Sequence, residues 1–173
     1  GQYAVALTLG GMYEFYHTTI ANYWGASTRN TPSLFLNNYY VDTNNRTQTR
    51  DLEKALFNNC IIYGNNSAEI GFDSLESSGL MNYKFEHCLI KTGAKTQTTG
   101  KHYESIIKNE PPRFMAVNND NFRLDTLSPA IDKGDVQTGR IFPRDILNNS
   151  RISDEAPDLG AYEFVPGMTQ EEE

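Results

Sequence analysis

Glycoside hydrolysis needs two carboxylates on facing elements. Glu69, Asp73 and Glu86 are the acids that could meet on one face if neighbouring strands align, and so are the candidate catalytic residues. Lys84 and Arg50 could supply a lyase base, although nothing in their setting singles them out. No Asp-x-Asp cluster occurs and no acid recurs at one repeat position, so Ca²⁺, although a group that lyase chemistry can use, is not indicated. A solvated charged face accounts for the same acids. Trp24 with Tyr23, and the pair Tyr39-Tyr40, could form a sugar-binding platform, because aromatic faces give large contact area at small entropic cost. The other reading of these aromatics is cover for the end of the strand stack beneath a loop. Cys60 and Cys88 are the only cysteines. They form no CxxC or Cys/His metal spacing, and burial would make them inert thiols rather than nucleophiles.

Elements that could position these residues emerge from an internal repeat. Tyr13–Ile20, Ala55–Ile62 and Tyr83–Ile90 align without gaps, at spacings of 42 and then 28 residues. The shared frame is Phe, any residue, Asn or His, Cys or Thr, an apolar residue or Thr, then Ile. One period-two strand cannot put Phe57, Cys60 and Ile62 on the same side. A sharp bend at Asn59 can, with His17 and His87 at the equivalent bends. A polar ladder at the turn therefore explains both imidazoles, since a histidine without a placed carboxylate is not a site. Successive frames would stack about 4.8 Å apart, placing Phe15, Phe57 and Phe85 in one column. Cys60 and Cys88 would stack likewise, either as two buried thiols or as a disulfide.

Composition agrees with short strands and tight turns. Seventeen Asn, six pairs among them, favour left-handed turn geometry. The net charge of −7 and the lack of a basic cluster argue against a nucleic-acid partner. No apolar run approaches the roughly 18 residues of a bilayer span. No segment carries a convincing amphipathic helix. Residues 42–53 and 93–102 read as polar loops, and Ile106-Ile107 as a further inward strand. Four of the seven prolines fall between Pro111 and Pro143, where regular pairing must stop. The domain reading is stacked strands over 1–108, a closing cap over 109–165 and a polar tail over 166–173. The start of the chain on strand-like residues, without a signal peptide, suggests a mature fragment of something longer.

The cap carries a resemblance. Phe122-Arg123-Leu124, the run Ser128-Pro129-Ala130-Ile131-Asp132-Lys133-Gly134, and Asp158-Leu159-Gly160-Ala161-Tyr162-Glu163-Phe164 resemble the closing segment of bacterial pectin-lyase-like surface proteins. Asp145 and Arg151 resemble the Asp and Arg that this family places between those motifs. Leu159 stands where Ile is usual, and Lys133 where Ala is common. The resemblance implies an all-β fold, a right-handed parallel β-helix solenoid with an irregular cap. It also implies a secreted or outer-surface protein, often lipid-anchored, of bacteria that live on polysaccharide. Asp132, Asp145, Arg151, Asp158 and Glu163 then read as a hydrogen-bonded structural network. One activity is not implied, because function is grafted on a fold. Three readings follow: a glycan-binding surface module, a polysaccharide lyase or glycoside hydrolase with part of its groove elsewhere, and a stalk or adhesin. An open first layer of strands also predicts self-association at that end.

Overall fold

The computed structural model describes residues 2–75 and 79–167, and β structure dominates it. The strands are β1 (Val5–Leu7), β2 (Gly11–Tyr16), β3 (Thr19–Asn22), β4 (Leu34–Asn37), β5 (Tyr39–Val41), β6 (Thr47–Thr49), β7 (Leu52–Asn58), β8 (Ile61–Gly64), β9 (Ile70–Asp73), β10 (Met81–Ile90) and β11 (Tyr103–Lys108). The last part holds β12 (Phe114–Ala116), a 3-10 turn at Val117–Asn119, β13 (Asn121–Leu124) and the six-residue helix α1 (Val136–Ile141).

The expectation of one right-handed β-helix solenoid does not hold. The described strands form four sheets: parallel β1-β4-β9, a six-stranded parallel sheet built on β2-β7-β10-β8-β3 with β11 beside β10, and the antiparallel pairs β5-β6 and β12-β13. In the six-stranded sheet, β10 pairs β7 along its first half and β8 along its second. The physical reason lies in the connections. The 42-residue spacing leaves enough chain after β4 to close its own hairpin, and the proline-rich last third pairs antiparallel. Residues 42–53 are accordingly not a plain loop. Asp42 accepts from the backbone N–H groups of Asn44 and Arg46, which turns β5 back onto β6, and β7 starts at Leu52.

Within this sheet, Phe15 pairs with Phe57 and Phe57 with Phe85. Their rings stack at 4.8 Å and 4.8 Å, and Tyr103 extends the column from Phe85 at 5.5 Å. His17, Asn59 and His87 all adopt left-handed backbone, with φ of 46°, 55° and 48°. Each strand path bends there, so Cys60, Ile62, Cys88 and Ile90 join the column's core. The intervening Ile61 and Leu89 face the other way and pack with Leu124, Ala130 and Leu159. Strands buried on both faces need such continuous apolar runs. The cap is tied down at Asn59. Its side chain accepts from Asp135 N–H at 2.6 Å and donates to Asp135 C=O at 3.1 Å, and its C=O accepts from Gly160 N–H at 2.8 Å. Gly160 has φ 88°, and a Cβ there would lie 2.9 Å from Ile61 Cδ1, so close docking requires glycine.

Candidate functional site

The three carboxylates that could have shared a site are separated. Glu69 is fully buried just before β9, where both of its oxygens bind Arg29 at 2.6 and 2.8 Å. Ser33 N–H and Oγ–H, together with Asn66 N–H, complete its shell. Burial pushes its pKa up, but hydrogen bonds from Arg29, Ser33 and Asn66 outweigh that and leave it below the usual carboxylate range. Such a saturated ion pair fixes the 22–33 connection to the strand layer and has no lone pair directed at solvent chemistry. Asp73, at the exposed end of β9, accepts from Tyr39 Oη–H at 2.7 Å. Glu86 lies on the outer face of β10, in a different sheet.

On that outer face, Glu86 pairs in register with Glu104 of β11. Lys84 bridges both carboxylates, and Lys54 pairs with Glu14 on the neighbouring strands. The Lys84 hydrogen bond holds Glu104 below its ordinary pKa. A general acid needs the opposite shift. Around them, Leu56, Tyr83, Lys101 and His102 line a shallow trough, and the His102 ring stacks on Tyr83 at 4.1 Å. Arg50 is not part of it. Its guanidinium lies 5.3 Å over the Tyr40 ring and donates to Tyr40 Oη at 3.2 Å, so one face of that aromatic is already covered.

His17 is buried, and its Nε2 accepts from Asn59 Nδ2 at 3.1 Å. Burial lowers its pKa to about 4, which keeps the ring neutral at pH 7. Its role is in the ladder that supports the cap. Cys60 and Cys88 are free and buried, and Cys88 donates to Phe57 C=O at 3.3 Å. Burial raises the Cys88 thiol well above its ordinary value, the opposite of nucleophile activation. In the cap, Asp145 accepts from Leu147, Asn149 and Glu163 N–H, and Asp158 accepts from Asp132 and Phe164 N–H. Arg151 donates to Glu163 at 2.5 Å. Burial raises Asp158 to about 6 and Glu163 to about 7.

Trp24 has a different setting. It follows β3 in the connection toward Arg29 and is 44% exposed. Nε1–H donates to Ser27 Oγ at 3.0 Å, which orients the indole, and the backbone C=O accepts from Asn65 Nδ2 at 3.5 Å; the residue lines an open pocket of about 510 Å³. The floor is Tyr23 and Phe122, whose rings stack at 6.2 Å, with Phe114 edge-on to Tyr23 at 6.1 Å. Asn118 and Asp120, from the 3-10 turn and its end, line the same pocket. Asp120 takes a left-handed φ of 55°, and neither side chain makes a hydrogen bond among the described residues. Sequence reading named Trp24 and Tyr23 but missed Asn118, Asp120 and Phe122. The only signal was the polar run Asn118-Asn119-Asp120-Asn121, and nothing local placed it in one pocket with an indole nearly a hundred residues earlier. Tyr39 and Tyr40 lie in the β5-β6 hairpin and do not line this pocket.

Among the described residues, no group of three or more His, Cys, Asp or Glu gathers as a metal site, and no helix is long and apolar enough to cross a membrane. No family model, curated protein or solved structure matches the chain.

Proposed function

We propose that the protein is a glycan-binding module that works outside the cell or on its surface, and that the pocket beside Trp24 is where the sugar docks. The observation that carries this reading is a half-exposed indole held by Ser27 and sharing a pocket with uncommitted amide and carboxylate groups. A pyranose ring offers an apolar C–H face and a rim of hydroxyls. An aromatic plane takes the first, and Asn118 with Asp120 can take the second. Small-molecule sites combine such an apolar wall with a few polar groups in this way. The pocket is open and shallow, which suits one or two residues of a longer chain.

Binding is favoured over turnover because the pocket holds a single carboxylate, Asp120, where hydrolysis commonly uses two, and the acids elsewhere are committed. Glu69 is saturated, Glu86 and Glu104 share Lys84, and Asp158 and Glu163, raised to about 6 and 7, are buried in the cap's own bonds. A glycan array probed with the wild type and with Trp24→Ala, with and without Ca²⁺, tests the reading when each positive polysaccharide is also assayed for product. Trp24-dependent binding without product is expected. Product formation, or binding indifferent to Trp24, would overturn it.

A further inference from the structure

The chemistry of the same pocket narrows the class of sugar. We propose that it selects neutral glycans over acidic ones, with Asp120 as the residue that sets the preference; this rests on the glycan reading of the Trp24 pocket. Its lining contains one carboxylate, Asp120, and no Lys, Arg or His. A carboxylate accepts hydrogen bonds from two sugar hydroxyls, and the Asn118 amide can both donate and accept. Neither group compensates a negative charge on the ligand. A uronate or sulfate seated against Trp24 would bring its charge to within several ångströms of Asp120. At ~5 Å in a partly wetted pocket, like charges lose roughly a factor of ten in affinity.

Two further features point the same way. The floor is aromatic, and burial raises the Tyr23 phenol, so Tyr23 stays neutral and offers no cation to offset a ligand's negative charge. The chain carries a net charge of −7, and its summed field disfavours a polyanion before contact. The cations Lys54, Lys84 and Lys101 line the separate outer-face trough, where Lys54 and Lys84 are already paired with Glu14, Glu86 and Glu104.

The test is isothermal titration of the whole chain at low salt with neutral hexasaccharides of glucose, mannose, xylose and galactose, and with hexagalacturonate. The wild type is expected to bind at least one neutral probe tenfold or more tightly than hexagalacturonate. Asp120→Asn, which tolerates the same left-handed backbone, should shrink that ratio at least threefold by removing the charge. A wild type that takes hexagalacturonate equally well or better overturns the proposal, as does an unchanged ratio in Asp120→Asn. Trp24→Ala separates the two levels. If it abolishes binding but acidic sugar is preferred, only the neutral-sugar inference falls. If it changes no affinity, or if no probe binds the wild type, the glycan reading falls as well.

Discussion

Replacing Asn59 should loosen the cap and strain the bend, and two substitutions separate those effects. The side chain makes three bonds, to Asp135 N–H, Asp135 C=O and His17 Nε2. It is fully buried, so water cannot easily substitute. At about 0.5–1.5 kcal/mol net per bond, their loss should cost about 2–4 kcal/mol. Its φ of 55° adds a second cost for any residue with a Cβ and no local polar group, about 1–2 kcal/mol. Asn59→Gly should therefore lose only the bonding part, and Asn59→Ala should be about 1–2 kcal/mol worse. Equilibrium urea unfolding gives both values, and amide exchange at Gly160, whose N–H bonds Asn59 C=O, reports the docking of the cap. Equal losses in the two variants would refute the strained bend. Losses under ~1 kcal/mol in both would refute Asn59 as the tie.

Other consequences follow from the same structure. Phe57→Ala removes a ring stacked on both sides and should cost about 3–5 kcal/mol, whereas Phe15→Ala, at the half-buried end with one stacked neighbour, should cost clearly less by urea unfolding. Glu69→Gln leaves Arg29 buried without its counter-charge and should cost about 3–5 kcal/mol by urea unfolding. Asp158 and Glu163 bind protons more tightly folded than unfolded, so stability should rise as pH falls from 8 toward 5.5. His17, lowered to about 4, opposes this below pH 6.5, so His17→Asn should steepen the rise; a wild-type Tm that falls steadily on acidification would contradict the assignment. Among the described residues, β1, β2 and β3 each pair on one side only, and light scattering should detect concentration-dependent association through those edges, against a strict monomer at all concentrations.

The repeated frame was legible because its residues have local duties. Phe fixes a column, and Asn or His tolerates a left-handed bend, so Phe15, Phe57 and Phe85, and the bends at 17, 59 and 87, could be read from residue type alone. The course of the chain between frames could not. Nothing in Asp42–Arg50 distinguishes a solvated loop from the β5-β6 hairpin, since both are polar, and the antiparallel β12-β13 pair depends on contacts beyond the frame. These pieces turn an expected solenoid into several sheets. Ile61 and Leu89 were signals that could have been used: apolar residues between inward positions announce a second buried face, and the cap covers it. For the site, Trp24 could be named from its type. The rest of its pocket could not, because Asn118 and Asp120 reach it only through the folding of the cap. Glu69 shows the converse, an acid attractive in sequence whose partner Arg29 lies forty residues away.

Trp24 is the only tryptophan in the chain, so its fluorescence reports directly on the proposed site. The decisive measurement is a titration of the wild type with neutral oligosaccharides, following Trp24 emission. A saturable change in intensity or wavelength, at concentrations matching those at which the sugar is bound, is the predicted result. Sugar binding that leaves Trp24 emission untouched, or no binding to any glycan, would contradict the account.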